Sequence, residues 1–399
     1  MGVRELGNPL GNPLALVRTR ETPPVPPSSV AVGVIRASSF TPDKWVRLEG
    51  QSLAPDDKLR AALGPNTAAA TLARNPSPIN TDTNQVACSF SADGKYFVST
   101  GGGASTHSTL IYRINGSTFT RLPNLDVALP IGIQDVSLSA DGVYLCAVGT
   151  ISPFVCLYKR TGDQFARLPD PAEIPQAASL SCSFSPDGQL LAIGHANAPR
   201  VSIYIVGSFL KAPNISGISS TANEVSFSSC SNYLCIATQA SPYLYAFRRN
   251  GQSFAPLSIP TLSPVPTAGH SCDISDDGKY LFFLSNNSLF SLSRAEDAYT
   301  QLSNASFTAS GSHSVSCSKN AETVICTAGS ILRAFKFNGS SLVNIGLSIG
   351  SSVNKAAISP DSNFIAYTAS PSSGHMTAVY GTDQIILPNI PDYIMRIEE

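Results

Sequence analysis

Chemistry needs titratable or metal-binding side chains brought together, and few in this sequence are candidates. The histidines are His107, His195, His270, His313 and His375. Zinc takes three or four ligands at about 2 Å, often from closely spaced pairs, and these five show no close spacing. His107, His195 and His375 each follow one recurring strand pattern, whereas His270 and His313 precede another. Their placement puts them in loops of one face, together with Tyr243, as a surface for a binding partner rather than a metal or catalytic centre.

Asp135 and Glu224 stand at the same position in two copies of a repeat, a position filled elsewhere by Ala87, Ser181, Ser271, Ser314 and Lys355. Carboxylate oxygens suit a hard cation, so Asp135 and Glu224 are candidates for a channel cation. Lys355 in the same set offers the other reading, a salt bridge that neutralises itself. No catalytic base with a shifted pKa can be recognised. The cysteines contain no C-x-x-C and no Cys/His nucleophile pair. Cys88, Cys182 and Cys272 alternate with Val or Ala at one repeat position, so small apolar side chains explain them. "GGGAS", from Gly101 to Ser105, leads into no helix and so cradles no phosphate. No cofactor is expected.

The elements that must position these residues are written as a repeat. "CSFSADGKYFVS", "VSLSADGVYLCA", "CSFSPDGQLLAI", "VSFSSCSNYLCI", "CDISDDGKYLFF", "VSCSKNAETVIC" and "AAISPDSNFIAY" are seven copies. Their turn residues are Asp93, Asp141, Asp187, Cys230, Asp277, Asn320 and Asp361, spaced 41 to 48 residues apart, the period of a four-stranded propeller blade. Cys88 and Phe90 alternate with Ser89 and Ser91, and Asp-Gly supplies a hairpin turn into a second strand. A second hairpin follows, with Tyr112, Tyr158, Tyr204, Phe247, Phe335 or Tyr380 on one strand and Phe119, Phe165, Phe209, Phe254 or Tyr299 across the turn. Leu292 is the exception on the first strand. One such sheet cannot cover its own apolar faces, but a closed ring can. The expectation is an all-β fold: a seven-bladed β-propeller of four-stranded antiparallel blades over residues 84–399, with an N-terminal extended arm and a short helix-containing segment.

Composition agrees. Only 13% of residues are charged and 43% are hydrophobic, with 29 Gly and 29 Pro, which fits short strands and tight turns. A net charge of −1 provides no field for a polyanion, so nucleic acid is not an expected partner. Nine cysteines are too few and too irregular for a disulfide scaffold and read as reduced, buried thiols. No apolar run approaches membrane-spanning length, and the start reads neither as a signal peptide nor as a myristoylation site. Arg113, Lys159, Arg248, Arg249 and Lys336 recur in the second hairpins and are expected to form a solvated rim.

Residues 1–43 hold the tandem "LGNPLGNPL" and the polyproline-like "TPPVPPSSV" and read as an anchoring arm. Its candidate contacts are Leu6, Leu10, Leu14, Val17, Arg18, Pro24 and Pro27, with Trp45 beyond it. Residues 44–83 read as a capping segment with a helix from Pro55 or Asp56 to Leu63, ended by Gly64. "KWVRLEG" is also a candidate outer strand for closing the ring.

The S-x-D-G hairpins and the third-strand aromatics resemble WD-repeat propellers over about four-fifths of the chain. Departures are the lone Trp45, outside the repeats, and the residue after each aromatic, which is never Asp. "LYKRTGDQFARLPD" with "CSFSPDGQLLAIGHA" resembles degenerate propeller repeats of bacteriophage and prophage proteins. Trp45, Gly50, Gln51 and Gly64 match in type and order the collar-type element of phage tail fibres. The resemblance implies a virion structural protein of tail-fibre, tail-tip or adaptor type, assembled in a bacterial cytoplasm. It would dock on other virion proteins, form a homo-oligomer in a symmetric assembly, and display the propeller toward host-surface protein or glycan, without membrane insertion. The rival readings are a capsid decoration protein, a lactonase-like propeller hydrolase with its cation at Asp135 and Glu224, and a cellular scaffold.

Overall fold

The computed structural model describes backbone and side chains over residues 85–101, 109–116, 118–130, 132–286, 288–307, 314–345, 352–362 and 364–369. It describes backbone pairing alone for Val3–Gly7, Pro13–Arg18, Trp45–Arg47, Ser52–Leu53, Ile79–Thr81, His375–Gly381, Ile385–Ile386, Tyr393–Met395 and the end of Leu342–Gly350. Every element among them is a β-strand. The expected helix at 55–63 lies outside the described residues, as do Leu10, Pro24 and Pro27.

Each S-x-D-G copy folds the same way because its serine closes the turn. In the second copy, Ser139 Oγ donates to Asp141 Oδ1 at 2.7 Å and accepts the Tyr144 N–H at 2.8 Å. Asp141 Oδ1 also accepts the Val143 N–H at 3.0 Å. Ser91, Ser185, Ser228, Ser275, Ser318 and Ser359 accept the N–H five residues on in the same manner. Replacing Ser139 with Ala is therefore expected to lower stability by ~1–3 kcal/mol, because the Tyr144 N–H and the Asp141 carboxylate both lose a partner. Urea unfolding checks it, and a loss under ~0.5 kcal/mol would contradict the role.

The second strand of each copy is buried along its length, as in Leu190–His195, because neighbouring sheets cover both of its faces. The sheets follow one another along the chain, each antiparallel from its inner to its outer strand. Gln85–Phe90, Ile133–Leu138, Ser179–Phe184, Ala222–Phe227, Gly269–Ile274, Ser314–Cys317 and Val353–Ile358 are the inner strands. The last lies beside the first, where Asn354 Nδ2 donates to the Gln85 carbonyl at 2.6 Å.

Seven equal four-stranded blades were expected, and the structure corrects this: six sheets are four-stranded. The third copy forms a three-stranded sheet, Ser179–Phe184, Leu190–His195 and Val201–Ile205. Its outer strand shrinks to a single bridge, Tyr204 with Lys211. The physical reason is local. The hairpin is shortened around Gly207 and Phe209, both left-handed, and Pro213, which follows, has no N–H to extend a ladder.

The chain divides into two compact units, Arg74–Tyr380 and a second made of Met1–Ala73 with Gly381–Glu399. Ile79–Thr81 supplies the outer strand of the last sheet of the first unit, pairing with His375–Thr377. Trp45–Arg47, the candidate ring-closing strand, pairs instead with Tyr393–Met395. The expected extended arm is corrected in part. Val3–Gly7 and Pro13–Arg18 form an antiparallel hairpin with Leu6 opposite Ala15, Val17 opposite Arg4 and Arg18 opposite Val3, while Leu14 lies on the second strand.

Candidate functional site

The inner strands leave one edge facing the axis, and its N–H groups need acceptors. Side chains of the preceding sheet provide them. Ser137 Oγ accepts the Phe184 N–H at 3.2 Å, Ser271 Oγ that of Val315 at 3.0 Å, and Ser314 Oγ that of Ala356 at 3.1 Å. The polar alternation in "VSLS" and its relatives thus stitches sheet to sheet. Carboxylates do the same at two places. Asp135 Oδ2 accepts the Cys182 N–H at 3.0 Å. Asp273 Oδ2 accepts the Cys317 N–H at 2.8 Å, and its Oδ1 takes Ser226 Oγ at 2.8 Å. Together these strands line an axial cavity of about 450 Å³.

The sequence-predicted pair meets here. Lys355 Nζ lies 2.6 Å from Asp135 Oδ1 and 3.6 Å from Glu224 Oε1, so the last sheet reaches across the axis to the second and fourth. The ammonium occupies the place between the carboxylates that a channel cation would need. Among the described residues no three His, Cys, Asp or Glu are grouped to hold a metal ion. Asp273, one layer along the axis, was not singled out from sequence; an Asp where the other copies have Ser or Ala was the available signal.

Burial pushes the Glu224 carboxyl up to about 8, Lys355 opposing the shift and Asp135 and Asp273 reinforcing it. Burial also raises Asp273, against its hydrogen bonds from Cys317 and Ser226. Burial would lower Lys355, but Asp135 and Glu224 hold it well above the ordinary lysine value. An unfolded glutamate titrates near 4.5, so the fold binds a proton at Glu224 that the unfolded chain has released. That contribution is fully present below pH 4.5 and is lost as pH rises through about 8. Accordingly, the melting temperature of the wild type relative to Glu224→Gln is expected to fall between about pH 5 and 9, with Lys355 charged throughout. A difference that stays flat with pH would contradict this.

Of the loop-face residues, the structure describes the side chains of His195, Tyr243 and His270. His195 is corrected: it is buried, its Nε2 lies 3.0 Å from Ser202 Oγ, and burial pushes it down to about 4. His270 is half-buried beside Asn286, which donates to Thr267 Oγ1 at 2.6 Å. Tyr243 is half-buried and left-handed, packed against the cluster that joins the fourth and fifth sheets. His375 begins a strand of the last sheet, and His107 and His313 lie outside the described residues. All nine cysteines are free, and burial pushes Cys88 and Cys326 up to about 12, which makes them inert as nucleophiles.

The expected basic rim is corrected at Arg249. Its side chain is only 6% exposed and pairs with Asp187 at 2.7 Å, tying the fourth sheet to the turn of the third. Arg160 and Arg294, absent from the sequence reading, make related clamps. Arg160 lies 4.4 Å over the Tyr96 ring and donates to the Gly142 carbonyl at 2.8 Å. Arg113 keeps the expected exposed position, paired with Asp163 at 2.7 Å.

No family model matches the sequence, and no curated protein does. By shape the chain is similar to two solved structures. One is described as the structure of U3-55K, with a TM-score of 0.59 and 10% identity, covering 76% of this chain and 97% of that one. The other is described as RRP9 WD40 repeats, with a TM-score of 0.60 and 10% identity, covering 78% and 99%. At that identity the likeness is one of fold. The fold is a WD40-type β-propeller with four-stranded antiparallel blades.

Proposed function

We propose that this chain is a non-catalytic interaction propeller that serves as a structural component of a bacteriophage virion. WD40-type propellers generally mediate protein–protein contacts. The observation that carries the first half is Lys355 seated between Asp135 and Glu224, which turns the charge of the axial cluster inward on itself. Asp273 likewise uses both oxygens on neighbouring strands. These groups bind the sheets to one another instead of facing a substrate. The virion half rests on the resemblance of the repeats and of the stretch around Trp45 to phage proteins. In this reading, Met1–Ala73 with Gly381–Glu399 docks on tail or capsid proteins, and the propeller faces outward toward host-surface protein or glycan.

Cross-linking mass spectrometry of purified particles tests both halves. The expected result is this chain at a fixed copy number, with cross-links from residues 1–73 to other virion proteins. Absence from particles, with bacterial proteins as neighbours instead, would leave the cellular scaffold. Calcium binding that Asp135→Asn abolishes would favour the hydrolase.

A further inference from the structure

Consecutive sheets meet along seams in which the second strand of one sheet packs against the inner strand of the next. The strand registers bring one equivalent pair of side chains together at each seam. Between the first and second sheets the pair is Val98 with Val136, and between the third and fourth it is Ala192 with Val225. Small apolar side chains fill the place there. At two seams both members are cysteines instead: Cys146 with Cys182 between the second and third sheets, and Cys235 with Cys272 between the fourth and fifth.

The two thiols of each pair touch. Cys182 Sγ donates to the Cys146 carbonyl at 3.6 Å, and its thiol hydrogen-bonds with that of Cys146. The thiols of Cys235 and Cys272 hydrogen-bond across their seam in the same way. One member of each pair, Cys182 or Cys272, lines the axial cavity, while Cys146 or Cys235 is fully buried in the seam beside it. Cys88 lines the same cavity but packs with Ala366 at its own seam. Burial keeps the paired thiols protonated, so they react slowly and only with an oxidant small enough to enter the cavity.

We infer that Cys146 with Cys182 and Cys235 with Cys272 are two disulfide sites, closed from the axial cavity by a peroxide, that staple consecutive sheets to one another. The step balances. Cys182 Sγ attacks hydrogen peroxide and the O–O bond breaks, which leaves a sulfenic acid at Cys182 and releases one water. Cys146 Sγ then attacks that sulfur; the S–S bond forms, the S–O bond breaks, and the hydroxyl leaves with the Cys146 proton as a second water. The two thiols give up two electrons and two protons, and the peroxide takes them. Cys272 and Cys235 react alike. Each bridge restricts the unfolded chain and so favours the closed ring. The inference stands on these residues alone, whether or not the chain belongs to a virion.

The full chain, purified reduced, is incubated with hydrogen peroxide, alkylated in denaturant, digested and mapped by mass spectrometry. Two cross-linked peptides are expected, Cys146 to Cys182 and Cys235 to Cys272, both lost on reduction with dithiothreitol, with Cys88 in no bridge. The urea midpoint of the oxidised chain should rise and return on reduction. Cys182→Val with Cys272→Val places at both sites the residue that Val136 and Val225 supply in other sheets, and it should abolish the bridges and the shift together. The map is made on the unaltered chain, so it decides the matter even where the variant does not fold. Absence of both cross-links, bridges scattered among the other cysteines, or thiols that pass to sulfinic acid without bridging would overturn the assignment. One bridge without the other would keep it for that seam and remove it from the second.

Discussion

Lys355→Met is expected to destabilise the propeller by ~3–5 kcal/mol, because it leaves the buried Asp135 carboxylate facing the axis without its counter-charge, Glu224 holding its proton at pH 7. Asp135 is 2% exposed, and its ion pair joins the last sheet to the second, past the first that lies between them. For a carboxylate so buried, the penalty is nearer that of an uncompensated charge than the small value of a surface pair. A companion variant, Lys355→Met with Asp135→Asn and Glu224→Gln, removes the charges together and keeps an amide oxygen for the Cys182 N–H. It is expected to recover most of the loss, since a neutral set has no desolvation penalty left to offset. Denaturant unfolding of the variants at pH 7 decides it. A single variant within ~1 kcal/mol of wild type would show that the cluster does not hold the sheets together.

Gly278→Ala is expected to cost ~2–5 kcal/mol, summing left-handed strain and overpacking. Gly278 has a φ of 66°, and an added Cβ would stand 2.2 Å from the Tyr233 ring of the preceding sheet. That ring cannot withdraw easily. Arg294 lies 4.4 Å over it, donates to its hydroxyl at 2.9 Å, and donates to the Gly278 carbonyl at 2.9 Å. The control is Gly188→Ala, at a φ of 72° with nothing within 4 Å of its Cβ, where only the backbone cost of ~1–2 kcal/mol applies. Ser231, Ala321 and Ser362 hold the same left-handed conformation in other copies, so the backbone alone does not require glycine. Equal losses at Gly278 and Gly188 in thermal or urea unfolding would remove the ring from the explanation.

The repeat, its turns and its strand pairs were legible because they are local. Ser139, Asp141 and Tyr144 lie within six residues, and their hydrogen bonds follow from residue type and spacing alone. The set that holds Asp135, Glu224 and Lys355 was legible for the same reason at one remove, since equivalent positions of a repeat must meet around an axis. The clamps of Arg160 and Arg294 were not. Each depends on a ring in one copy meeting a glycine in the next, and on the length of an arginine that spans the seam between them. His195 shows the limit most clearly. Its place at the end of a second strand follows from the repeat, but its burial depends on what the neighbouring sheet lays over it.

By itself the sequence determined an all-β ring of repeated antiparallel sheets, since period-2 strands and closed turns need only neighbouring residues and apolar faces must find cover. Tertiary structure alone decided the strand Ile79–Thr81 that completes the last sheet and the clamps of Arg160 and Arg294. These depend on how far a side chain or a connection reaches across a seam, a distance that residue spacing does not encode.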